Sequence, residues 1–284
     1  MNTVRIGFKA FDAHELLCHF VAVKAGLYTK ENIDVELIDI TFISDADLPE
    51  DVFQASCGAA LSSALRGIPQ RIIVVATDRP MFWIYSNDSI SSLEDLQDSR
   101  IATFPAIAPP HHLANIILGK HGIDVEQQVK LLPARDDTAR FGLLSAAYVD
   151  AAVISSALSP VQIGQQGFNN LCFFGDEIRI PTTGLAVDQS FIEKEPELTR
   201  TLVSIYKQSL SMIASDPALV RCVLQDYFNV ADTYSKKTAE IFAPYFTTNG
   251  VTSETIAQNA IASLCKSLSI TTVPDWQQIY TFAD

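Results

Sequence analysis

Positive charge is scarce in this chain: 20 Lys and Arg stand against 33 Asp and Glu, a formal net charge of −13. Nucleic acid and anionic membranes are held by clustered cations, so this balance argues against both as partners. A small anionic ligand stays open, because a pocket can be locally positive on an acidic protein. Cysteine is sparse as well. Cys18, Cys57, Cys172, Cys222 and Cys265 form no CxxC pair and are odd in number. They read as small buried apolar groups rather than a disulfide framework, and they point to a reducing compartment. No apolar run reaches the roughly 18 residues of a membrane span, so no membrane insertion is expected. P-loop, GxGxxG and GxSxG motifs and Cys–His catalytic spacings are missing, and no cofactor is implied. The N-terminus has neither the basic opening nor the apolar run of a secretory signal. If Met1 is the native start, the protein is cytoplasmic; if this is a mature exported form, it is periplasmic or otherwise extracytoplasmic.

What is present is a chain of 284 residues, 48% apolar and 19% charged, enough to bury a core. β-rich runs at 4–8, 35–40, 71–76, 81–85, 100–103, 129–132, 149–154, 171–174 and 184–187 alternate with segments of helical spacing. Residues 52–55 read as the end of a short helix, ahead of a second helix at 57–65. The continuous apolar run at 71–76 predicts a fully buried strand. Strands stop near 187, and helices take over to the C-terminus. Alternating strands and helices imply α/β units with mainly parallel sheets, and so many strands suit two lobes better than one sheet.

The phrase from Ala25 through Gly26-Leu27-Tyr28-Thr29-Lys30-Glu31 to Val35-Glu36-Leu37 resembles a signature of the substrate-binding proteins of nitrate-, sulfonate- and taurine-type ABC transporters. That group includes the thiamine-pyrimidine-synthase-like proteins. Gly67-Ile68-Pro69 before the strand at 71–76, Ser92-Leu93-Glu94-Asp95-Leu96, Val149-Asp150-Ala151-Ala152 and Glu195-Pro196-Glu197-Leu198 agree in order and spacing. The resemblance covers roughly residues 4–230. Where the family usually has Gly-x-x-Asp, this chain has Phe53-Gln54-Ala55-Ser56-Cys57-Gly58, and it lacks the cysteine-rich motif of the eukaryotic pyrimidine synthases. The resemblance implies a two-lobed, periplasmic-binding-protein type 2 α/β fold with a central cleft and a helical C-terminal part. Lobe one is then 1–84 plus 186–284 and lobe two 85–185, with crossover strands near 82–86 and 183–187.

A ligand would sit between the lobes, at the carboxyl ends of strands and the amino ends of helices, where open parallel sheets expose loops and helix dipoles. Phe11, Asp12 and His14 follow the first strand and offer a stacking wall with polar contacts, or a plain helix cap. Ser56, Cys57 and Gly58 stand near a helix N-terminus that would hold an anion or a carbonyl oxygen. Asp78 and Arg79 follow a buried strand, where Arg79 pairs either with a ligand carboxylate or with Asp78. The loop at 104–110 opens with Phe104 and leads to a helix starting at His111 and His112, one of which would face the ligand. Ser155 and Ser156 end a strand. Arg179, Thr182 and Thr183 lie near the second crossover, and Arg179 is the cation best placed for an anion. An aromatic lining of Phe11, Trp83 and Phe104 hints at a planar ligand. His14 and Cys18, one helical turn apart, are weak metal candidates in an HExxH-like arrangement.

Three functions compete. The first is a solute-binding protein that passes an organic anion or heteroaromatic metabolite to an ABC permease. The second is a cytoplasmic enzyme on the same fold, with His14, His111 or His112 in acid–base roles. The third is a ligand sensor working by lobe closure.

Overall fold

A computed structural model describes residues 2–106 and 108–282. Ile107, in the loop expected at 104–110, lies outside the described residues. The first segment runs β1 (Asn2–Phe8), α1 (Ala13–Lys24), α2 (Leu27–Lys30), β2 (Ile33–Asp39), β3 (Val52–Ser56), α3 (Cys57–Leu65) and β4 (Gln70–Thr77). The middle segment runs β5 (Phe82–Ser86), β6 (Arg100–Thr103), α4 (Pro109–Lys120), β7 (Lys130–Pro133), α5 (Asp137–Ser145), β8 (Ala151–Ser155), α6 (Pro160–Gln165), β9 (Asn169–Phe173) and α7 (Phe174–Glu177). The last runs β10 (Thr183–Asp188), α8 (Gln189–Lys194), α9 (Pro196–Ser215), α10 (Pro217–Phe228), α11 (Asp232–Phe242) and α12 (Glu254–Ser267).

The chain divides into two units, Met1–Arg79 with Arg179–Asp284, and Pro80–Ile178. These divisions fall a few residues ahead of those expected at 84/85 and 185/186. The two strands expected to cross between lobes each belong to a single sheet: β5 pairs with β8 and β9, and β10 with β3 and β4.

Unit one is built on a five-stranded sheet in the order β2-β1-β3-β10-β4. β1 runs parallel to β2 and β3, and β10 runs against both of its neighbours. Residues 52–55 are strand, not the end of a helix. All four are buried, and a strand covered on both faces has no period-2 alternation to mark it. β10 enters through a bulge at Thr183–Gly184. There the backbone passes so close to β4 that a Cβ on Gly184 would lie 2.0 Å from the Val74 carbonyl oxygen, so only glycine fits. Gly26, at φ +67°, turns the chain out of α1 in the left-handed conformation that glycine adopts readily. Helix α1 is buried along most of its length against α9 and α10, and α12 packs on α3 over Leu61, Ile72, Ala186 and Ile261.

Unit two carries a second five-stranded sheet, β7-β6-β8-β5-β9. β6 is parallel to β7 and β8, while β5 is antiparallel to β8 and β9. Trp83 stacks on Phe173 at 4.9 Å and is 2% exposed, so it is core packing for this sheet rather than part of a ligand wall.

Candidate functional site

In unit one, the β1–α1 turn and the loop into β10 bring several polar groups together. Asp12 adopts an extended backbone and caps α1, its carboxylate accepting the Glu15 N–H at 3.0 Å. His14 follows in the first turn, buried, with Nε2 sharing a 2.7 Å hydrogen bond with the Thr182 hydroxyl. The Thr182 hydroxyl also reaches the Thr77 carbonyl at 3.3 Å. Burial pulls the His14 imidazole down to about 3, so the ring is neutral at working pH and meets Thr182 as an uncharged hydrogen-bonding group. Glu15 is buried beside it and accepts the N–H groups of Lys9 at 2.8 Å and Ala10 at 3.2 Å. Burial, reinforced by the Asp12 charge, raises its carboxyl to about 8, although the two amides and Lys9 pull the other way.

Phe11 precedes Asp12 in the same turn and is 51% exposed. Its ring is backed by Phe8, Phe20 and Phe228 at centroid distances of 5.6, 5.7 and 6.0 Å. An aromatic face held rigid from behind and open in front is a surface on which a planar group stacks with little loss of side-chain freedom.

Other expected groups in unit one are already engaged. Cys57 is fully buried; its thiol points to the Val74 carbonyl, and burial pushes its pKa far above the ordinary thiol range. The Gly58 N–H donates to the Thr182 carbonyl at 3.1 Å. Neither the thiol nor this N–H is open to a ligand, which corrects the reading of 56–58 as an anion site; Ser56 stays half-buried, with no side-chain cap on α3. Asp78 pairs with Arg179: Arg179 donates to it from Nε at 2.9 Å and from Nη2 at 2.5 Å, and Thr252 adds a third bond at 2.9 Å. The charge of Arg179 is therefore spent on a neighbour. The Arg79 backbone N–H donates to Thr77 Oγ1 at 3.0 Å. Cys18 is buried and directs its thiol at the Tyr206 carbonyl; burial raises it to about 12. Among the described residues no three His, Cys, Asp or Glu side chains gather as metal ligands.

In unit two, two of the expected residues, Phe104 and Ser155, contact a buried arginine or its acidic partner. Arg140 is 0% exposed; Nε donates to the Val153 carbonyl at 2.8 Å, Nη1 to the Ala134 carbonyl at 3.1 Å, and Nη2 pairs with Asp137 at 2.7 Å. The guanidinium lies 3.5 Å from the centroid of the Phe104 ring, which also meets Phe82 edge-on. Ser155 holds Asp137 through its N–H at 2.7 Å and its hydroxyl at 2.9 Å. Ser155 and Ser156 are both buried. His111 is half-buried and His112 exposed, their rings 5.8 Å apart at the start of α4.

Three buried polar atoms along this β6–α4 stretch have no hydrogen-bond partner: Thr103 Oγ1, His111 Nδ1 and Asn115 Oδ1. His111 and Asn115 are four apart and share a helix face. Sequence reading missed Glu15, Gln54, Thr103, Asn115 and Arg140. Gln54 had a usable signal, as a carboxamide between Phe53 and Ala55 in an otherwise apolar strand. It is 0% exposed, neither amide atom has a partner, and its register neighbours are Gly7 and Ala186, whose small side chains leave room for it. The others had none, because a polar residue at a helix start reads equally well as solvated.

A model of the family described as NMT1/THI5 like matches residues 14–219. A comparison with curated protein sequences gives no match. Among solved structures, the chain is similar to the periplasmic aliphatic sulphonate binding protein SsuA from Escherichia coli, with TM-score 0.78 and 13% identity over 100% of this chain and 94% of that one. It is also similar to the alkanesulfonate-binding protein SsuA from Xanthomonas axonopodis pv. citri bound to MOPS, with TM-score 0.74 and 14% identity over 100% and 99%. The desulfurization enzyme DSZB matches with TM-score 0.70 and 13% identity over 98% and 96%. The fold is thus α/β of the periplasmic-binding-protein type 2 class with a helical C-terminal part, and it hosts both binding proteins and an enzyme.

Proposed function

The chain belongs to the NMT1/THI5-like family, and on that premise we propose that it is an extracytoplasmic solute-binding protein that captures a planar, heteroaromatic metabolite and delivers it to an ABC permease. The observation that carries this reading is the half-exposed Phe11 ring, braced by three aromatic neighbours in the turn that leads into His14 and its hydrogen bond with Thr182. Stacking on Phe11, with hydrogen bonds from this polar group, suits a flat ring bearing nitrogen or oxygen. A sulfonate suits it less. Arg179 is neutralised by Asp78, the Gly58 N–H is occupied, and the neighbouring charge is that of the Asp12 carboxylate.

The uncharged His14 imidazole meets such a planar ligand as a neutral hydrogen-bonding group. The relatives named above include periplasmic proteins, which supports the extracytoplasmic placement, and no helix among the described residues is long and apolar enough to cross a membrane. Native mass spectrometry of the purified protein, before and after denaturation, tests the proposal. A heteroaromatic compound that leaves intact on unfolding, and that Phe11→Ala fails to retain, is the expected result. Recovery of an aliphatic sulfonate, or of a covalent adduct that survives denaturation, would overturn it.

A further inference from the structure

At the opposite end of the unit-one sheet lies a second pocket. Its volume is about 340 Å³, and it opens between the Gly67–Pro69 turn, the amino end of β4, the start of α8 and the C-terminal stretch at Pro274 and Gln278. Along β4, from Gln70 to Thr77, seven steps of about 3.3 Å separate it from the His14–Thr182 group by about 23 Å. Its size falls within the range of small-molecule sites.

The lining is selective. Its polar side chains are Gln70, Arg71, Gln189 and Gln278, and among the described residues no carboxylate lines it. Arg71 donates from Nη2 to Gln189 Oε1 at 2.7 Å, and the Gln189 amide is anchored in turn by its Nε2 donating to Glu193 at 2.9 Å. The guanidinium is thereby aimed and held. Among the described residues it has no acidic partner within ion-pair reach, on a protein whose net charge is −13. Gln70 is 3% exposed, lines the pocket, and its Oε1 has no hydrogen-bond partner. A buried acceptor left unpaired is costly, and a ligand N–H or O–H would relieve it.

We propose that this pocket is a second small-molecule site, one that takes a compact carboxylate carrying an N–H or O–H donor. The carboxylate sits on Arg71, the donor hydrogen-bonds to Gln70 Oε1, and Gln189 and Gln278 complete the rim. Ile68, Pro69, Pro274 and Ile279 give it apolar walls. The site stands at the other end of the sheet from Phe11 and His14, so the failure of either proposal leaves the other intact.

The test is an NMR titration of the ¹⁵N-labelled full chain with N-acetylglycine, which has both a carboxylate and an amide N–H. Saturable shifts are expected at the side-chain amides of Gln70, Gln189 and Gln278 and at the Arg71 backbone. Acetate, which lacks the donor, should bind about tenfold more weakly, the worth of one good hydrogen bond. Arg71→Met should abolish the shifts. Gln278→Glu should do the same by setting a carboxylate at the exposed rim, where no core packing is disturbed. Shifts that do not saturate, that centre elsewhere, or that persist in either variant would overturn the assignment.

Discussion

Glu15 links burial to a measurable pH dependence. It lies in the first turn of α1 with its carboxyl raised to about 8 by burial and by the charge of Asp12. Unfolding returns it to an ordinary glutamate value of about 4.3. The folded value is therefore the higher one. Below about pH 4 both states hold the proton, and the group's contribution to stability is fully present. As pH rises, the unfolded chain loses its proton while the folded chain keeps it. Stability falls by about 1.4 kcal/mol per pH unit until the folded carboxyl ionises near 8. Between about pH 5 and about pH 8 the loss comes to about 4 kcal/mol. Glu15→Gln keeps an acceptor for the Lys9 and Ala10 N–H groups but cannot ionise. The check is urea unfolding of both proteins at the two pH values. The wild type should lose about 4 kcal/mol relative to the variant. His14 and His19, lowered by burial to about 3 and about 4, titrate alike in both proteins and cancel in the comparison. A difference that stays constant across the range would mean that the folded carboxylate is already ionised at the lower pH, and the reasoning would fail.

Three further substitutions test the packing around the two candidate polar groups. Gly184→Ala should cost about 4 kcal/mol or more, or prevent folding, because its Cβ would lie 2.0 Å from the Val74 carbonyl oxygen; a melting temperature close to wild type would contradict that close approach. Arg140→Met leaves Asp137 without its cation and removes the support under Phe104, so a loss of about 3 kcal/mol or more is expected in denaturant unfolding. Gln54→Met replaces a buried, unpaired carboxamide with an apolar group of similar size, and should raise stability by about 1–3 kcal/mol in the ligand-free protein. A loss of stability instead would show that the amide is already satisfied in the folded chain.

The architecture was legible because each element carried a local reason for its shape. Gly26 stops α1, the apolar run of β4 declares a buried strand, and the order of short phrases from Ala25 to Leu198 resembles one family throughout. β3 was misread because burial on both faces erased the alternation that marks a strand, leaving Val52-Phe53-Gln54-Ala55 as consistent with a helix as with a sheet.

The candidate site was legible in position but not in chemistry. Phe11, Asp12 and His14 follow β1 and Thr182 precedes β10, and the topology of the sheet brings His14 and Thr182 within reach of each other. Which of them is charged depends on partners far away in the chain. Arg179 looked like the cation for an anionic ligand until Asp78, 101 residues earlier, proved to hold it. Burial leaves His14 uncharged, and Glu15, read as part of a helix start, holds a proton near neutrality because it is buried beside Asp12. A charge is a property of the neighbourhood, and a single sequence lists residues without their neighbours. The same logic gives Arg71 its interest. In sequence it is one more cation before an apolar strand; in the fold it is a guanidinium aimed by Gln189 with no carboxylate among the described residues to quench it. An unquenched charge in a pocket of a strongly acidic protein is unfavourable for nothing only if something negative visits it, and the N-acetylglycine titration asks whether it does.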